Sequence, residues 1–128
     1  MAKKEHWKVD PEPHDFPAAG DFLSMTLGRA DVLSVVRRLK AASLTHRMAT
    51  DLLRASRLPL LPADDHEVAR DLKKVRRGEF LSPVLLVRGH LPGNQPLTIA
   101  DGYHRVCASY HLDEDATIPC RIVDGPSA

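Results

Sequence analysis

Cysteine and aromatic residues are scarce in this chain: two cysteines, Cys107 and Cys120, and 5% Phe, Trp and Tyr among 128 residues. A disulfide framework is therefore not expected. No apolar run approaches the length of a bilayer span, and the opening "MAKKEHWKVD" has no apolar segment behind its lysines. Neither a membrane span nor a secretory leader is expected, and the reading is a soluble, cytoplasmic protein. An excess of one charge is missing too: 18 Lys and Arg stand against 17 Asp and Glu, a net charge of +1. No global field draws the chain to nucleic acid or an anionic membrane, so any anion site must be local. What the chain does have is 43% hydrophobic residues, enough for one compact core and a single domain.

Residues 1–24 carry Pro11, Pro13, Pro17 and Gly20 among charges and read as an extended arm, with Trp7 and Phe16 able to pin it to a groove. The main domain then runs over 25–128. Val32, Val35, Val36 and Leu39 recur at helical spacing, which predicts a helix ending near Ala42. Ser43 can cap a second helix in "SLTHRMATDLLRASRLP", whose stripe is Leu44, Met48, Leu52 and Ala55. Residues 25–56 thus form a helical hairpin, placed over an open face of the sheet or in a homodimer contact. From 57 to 124 the pattern becomes that of an α/β core. "RLPLLP" reads as a strand and "ADDHEVARDLKKVRRGEF" as a helix with capping aspartates; "SPVLLVRG" and "LTIA" read as strands, "YHRVCASYHL" as a helix and "IPCRIV" as a strand. The fold class is α/β (α+β), with a small mixed sheet of about four strands.

The passage "LTIADGYHR" carries the chemistry. A helix entered from a strand through glycine exposes N–H groups at the positive end of its dipole, where an anion is stabilised. Gly102 lets a ligand approach the backbone, Arg105 offers a planar fork for phosphate oxygens, and His104 adds a further donor. The same residues also suit an ordinary turn, with Asp101 capping the helix and His104 and Arg105 solvated. His104, Cys107, His111 and Cys120 lack the paired spacing of a zinc site, and no metal is assigned to them. "KKVRR" at 73–77 reads as the wet face of a helix more than as a nucleic-acid contact.

From Leu58 to Val123 the order of elements resembles the ParB N-terminal and sulfiredoxin superfamily. Sulfiredoxins have Gly-Cys-His-Arg at the matching turn, which holds ATP phosphate and carries the catalytic cysteine; ParB has Gly-Glu-Arg-Arg, which holds CTP phosphates. This chain has Gly102, Tyr103, His104 and Arg105. The resemblance implies that these four bind nucleotide phosphate, while Tyr103 in the cysteine's place excludes sulfiredoxin chemistry. Cys107, one turn on, reads as a buried apolar residue. The free serine kinase of the same superfamily, with Asp-Gly-His-His-Arg, is similar at Asp101, Gly102, His104 and Arg105.

Three functions follow, in order of preference. The first is a nucleotide-binding module for ATP, ADP or CTP. The second is a phosphotransferase acting on a small hydroxyl-bearing acceptor, with Glu67, Asp101 and His104 in acid, base or magnesium-binding roles. Against that stands a plainer reading of "PADDHEV", with Asp64 and Asp65 as caps and Glu67 complementing the helix dipole. The third is a DNA-associated, nuclease-type partner, ranked last because the given chain stops at Ala128 just past its last strand.

Overall fold

The computed structural model describes residues 6–126. Its elements run α1 (Asp15–Leu23), α2 (Arg29–Ala41), β1 (Thr45–Met48), α3 (Ala49–Ser56), α4 (His66–Arg76), β2 (Val84–Arg88), β3 (Thr98–Asp101), α5 (Tyr103–Leu112) and β4 (Thr117–Asp124). The strands form one mixed sheet in the order β1-β4-β2-β3. Strand β2 pairs antiparallel with β3 and parallel with β4, and β1 pairs antiparallel with β4. A parallel pair needs a crossover, and α5 supplies it by carrying the chain from β3 to β4. This is the α+β class expected.

Central β2 is buried from Val84 to Val87, because helices cover both faces of the sheet, and an uninterrupted apolar run suits such a strand. Val84 and Leu86 pack with Ile118, Cys120, Val106 and Leu52 under α3, α4 and α5. Leu85 and Val87 face the other way, onto Phe16, Leu23, Val35 and Leu39 of α1 and α2. The N-terminal helices therefore cover the second face of the sheet, one of the two roles expected of that region. Among the described residues no helix is long and apolar enough to cross a membrane.

Three expected features are corrected. Within the presumed extended arm, residues 15–23 are helical and 1–5 lie outside the described residues. Pro17 is tolerated because the N–H groups of a first turn have no helical partner anyway, and Phe16, Ala19 and Leu23 bury one face. Trp7 joins the opposite side of the molecule through a bridge to Leu81, with Lys8 N donating to Leu81 O at 2.7 Å. The arm is thus anchored on both faces.

The helical hairpin of 25–56 is interrupted. Residues 45–48 form edge strand β1, and helix begins only at Ala49, so Ser43 caps nothing. The sheet pairs Thr45 with Cys120, so the border expected at residue 57 does not divide the fold. "RLPLLP" is no strand: its prolines cannot donate to a ladder, and Leu58 and Leu60 stay partly exposed.

Candidate functional site

Strand β3 ends at Asp101, Gly102 follows, and α5 begins at Tyr103, so the sequence-predicted turn is formed as expected. Gly102 has φ +111°, a region that residues with a Cβ avoid. A Cβ there would also stand 2.9 Å from both Val84 Cγ2 and Arg105 Nη2. The glycine thus makes room for a guanidinium laid against the turn. No side chain caps the N-terminus of α5. Asp101, considered above as its cap, does something else.

Asp101 Oδ2 accepts a hydrogen bond from Arg105 Nη2 at 2.8 Å, and the same nitrogen lies 3.2 Å from Pro83 O. Both side chains are only 17% exposed. Burial raises the Asp101 carboxyl above its ordinary 3.8, and the charge and hydrogen bond of Arg105 pull it back without cancelling the rise. Arg105 is therefore a fixed part of the turn, not the open fork expected. Its Nε is buried without an acceptor among the described residues.

Tyr103 is committed as well, its hydroxyl donating to Pro59 O at 2.5 Å and tying α5 to the segment before α4. His104, partly exposed on the first turn, lies with its ring centroid 5.4 Å from that of Tyr103. Of the acidic candidates, Asp65 is the N-cap of α4 and accepts from the N–H groups of Glu67 and Val68, both at 3.2 Å. Asp64 caps nothing. Glu67 lies near His66 and Arg70, at 3.4 and 3.8 Å.

The three proposed catalytic residues have different electrostatic surroundings. Asp101 feels Arg105, Asp15 and His14, on the α1 side. Glu67 and His104 instead act electrostatically on a residue missed from the sequence, Asp71. It lies one turn after Glu67 on α4, which packs on α5, and it is buried. Its carboxylate makes no ion pair or hydrogen bond among the described residues. Burial raises its carboxyl above 3.8, opposed by Lys74 and Arg105, with Glu67 adding to the rise and His104 opposing it. The signal was present in the sequence: Asp71 interrupts the edge of the Val68-Leu72-Val75 stripe, where an exposed acid does not belong.

Cys107 is fully buried and its thiol is raised mainly by burial, while burial pushes Cys120 up to about 11. Both stay protonated at neutral pH, which removes them as nucleophiles. In comparisons with known proteins, no family model matches this chain, and neither a curated protein nor a solved structure matches it.

Proposed function

We propose that this chain is a nucleotide-binding module of the ParB and sulfiredoxin kind, working in the cytoplasm, with phosphate oxygens at the α5 turn. The observation that carries this is the passage from β3 through left-handed Gly102 into a helix whose first N–H groups have no side-chain cap. Tyr103 and His104 contribute backbone donors there, and His104 adds its ring. Arg105 acts from behind, holding the turn through Asp101 and Pro83. ATP, ADP and CTP all have the phosphates this arrangement addresses.

A second reading, phosphotransfer to a small hydroxyl compound, is favoured by Asp71. A buried carboxyl held above its ordinary value, within the electrostatic reach of Glu67 and His104, has the character of a general base. Glu67 and Asp71 also offer the carboxylate oxygens that magnesium takes beside phosphates and water.

The test is a thermal-shift titration with ATP, ADP and CTP, with and without magnesium. A ligand of the native state raises Tm by mass action, and His104→Ala should remove that rise without lowering the Tm of the unliganded protein. If no nucleotide moves Tm, the reading falls. Transfer of labelled phosphate to a hydroxyl acceptor, lost in Asp71→Asn, would support the second reading; no transfer across a broad acceptor panel would sink it.

A further inference from the structure

The other end of β2 holds a second concavity. From Val84, beside the Gly102 turn, to Arg88 is about 13 Å along the strand. There a cavity of about 480 Å³ opens between β1, α3 and the loop that joins β2 to β3. Its apolar side is built from Leu52, Leu86, Leu97 and Ile122. These come from four different elements or their ends, so the floor is part of the core's edge and keeps its shape.

Four arginines also line it: Arg47 from β1, Arg54 from α3, Arg57 just past it and Arg88 at the end of β2. Asp51 is the only acid in the lining, which leaves a net of +3 here against +1 for the whole chain. Of the four, only Arg88 has a close carboxylate among the described residues, Asp124 at 2.8 Å. Arg54 lies 3.8 Å from Asp51, both well exposed, and such a pair is weak. Arg47 makes no ion pair among the described residues. Arg57 reaches neutral oxygens instead, Asn94 O at 3.3 Å and Asn94 Oδ1 at 2.5 Å.

The rim is held in place. Arg57 and Asn94, bonded to each other, are the two residues other than glycine with positive φ among those described, at 61° and 58°. Arg57 in this conformation is the C-cap that ends α3, and its bonds to Asn94 fix the rim there. Gly89, also in the lining, has Gln95 O and Pro96 so near that a Cβ would come within 2.3 and 2.5 Å of them. His90 Nδ1 accepts from Gly93 N at 3.0 Å, which leaves Nε2 carrying the proton of the neutral ring.

We propose that this cavity binds a small organic phosphate, its aromatic or apolar body on the leucine floor and its dianion against the guanidiniums. Guanidinium forks match phosphate oxygens two at a time, and unpaired ones have that capacity unspent. The volume falls in the range of small-molecule sites, and an apolar floor beneath a polar rim is their usual construction. A bare phosphate would leave the floor wet, whereas an uncharged aromatic would leave the arginines unanswered. The site is separate from the α5 turn and does not depend on the reading given to that turn.

The probe is 2-naphthyl phosphate, titrated calorimetrically into the full chain beside inorganic phosphate and 2-naphthol. One naphthyl phosphate should bind per chain, about tenfold or more tighter than either half. The double variant Arg47→Gln/Arg57→Gln should weaken it by about tenfold or more. Ala55→Trp, which fills the cavity from α3 and removes no charge, should abolish it. His104→Ala should leave it unchanged, whatever that variant does to nucleotide binding. Circular dichroism and Tm establish that each variant is folded. No binding up to about 1 mM, full binding by the double variant or by Ala55→Trp, or loss in His104→Ala would each overturn the proposal. So would duplex DNA binding lost in the double variant while naphthyl phosphate does not bind, since the arginines would then serve a polymer.

Discussion

At the Val84 end of β2, Arg105 is 17% exposed and bonded to a carboxylate as sheltered as itself. At the Arg88 end, Arg57 is exposed and bonded to the neutral oxygens of Asn94, and Arg47 has no ion pair among the described residues. Residue type is the same and the consequence opposite. A guanidinium that has met a carboxylate in a sheltered place is spent on the fold, because desolvating both charges leaves each dependent on the other. One that meets only water and amide oxygens keeps its charge for a ligand. Placement of the nearest carboxylate decides which arginines are scaffold.

This contrast can be broken by substitution. The largest expected effect is from Gly89→Ala, since the new Cβ would meet backbone atoms of Gln95 and Pro96 that cannot step aside. A loss of about 4 kcal/mol in chemical denaturation would express that clash, and an unchanged midpoint would refute the close approach. Next is Arg105→Gln, expected to cost about 3 kcal/mol by stranding Asp101. Asp101→Asn in the same background should recover part of the loss, because the unpaired charge disappears.

The buried carboxyl of Asp71 gives a pH signature. Its raised native value means that the folded state holds the proton more tightly than the unfolded state, so this group's contribution to stability falls as pH rises above 3.8. Asp71→Asn should therefore gain stability relative to the parent as pH rises above 3.8, read from paired denaturation curves; parallel curves would remove the burial argument. For the arginines of the open end the effects are small. Arg57→Gly should stabilise by about 1 kcal/mol through relief of its left-handed backbone. Arg47→Gln should stay within about 0.5 kcal/mol of the parent. A large loss in Arg47→Gln would erase the distinction between the two ends.

Much of the second half of the fold could be read locally. "PVLLVR" announces a strand buried on both faces, and Asp65 ahead of Val68, Leu72 and Val75 announces α4 with its cap. The first half could not. "THRM" has no alternation, since an edge strand keeps polar side chains in water and is a strand only because β4 pairs with it. Helix α1 contains Pro17 and Gly20 and is held by what Phe16 and Leu23 bury against, which no local propensity reports. In the candidate site, the glycine turn was legible and the state of Arg105 was not, although Asp101 and Arg105 stand four residues apart, where an ion pair forms across one turn. The arginines of the cavity, spread from position 47 to 88, carry no shared pattern in the sequence; only the meeting of β1, α3 and β2 collects them.

Among the described residues strand β4 is the only partner of β1 and also the parallel neighbour of β2, so it is the seam of the sheet. Its register joins Thr45 to Cys120, across more than half the chain. On a ribosome, the Leu52 and Leu86 sides of the core must wait with a bare sheet edge until the last strand emerges. Closure of the sheet thus joins segments far apart in sequence, which slows folding.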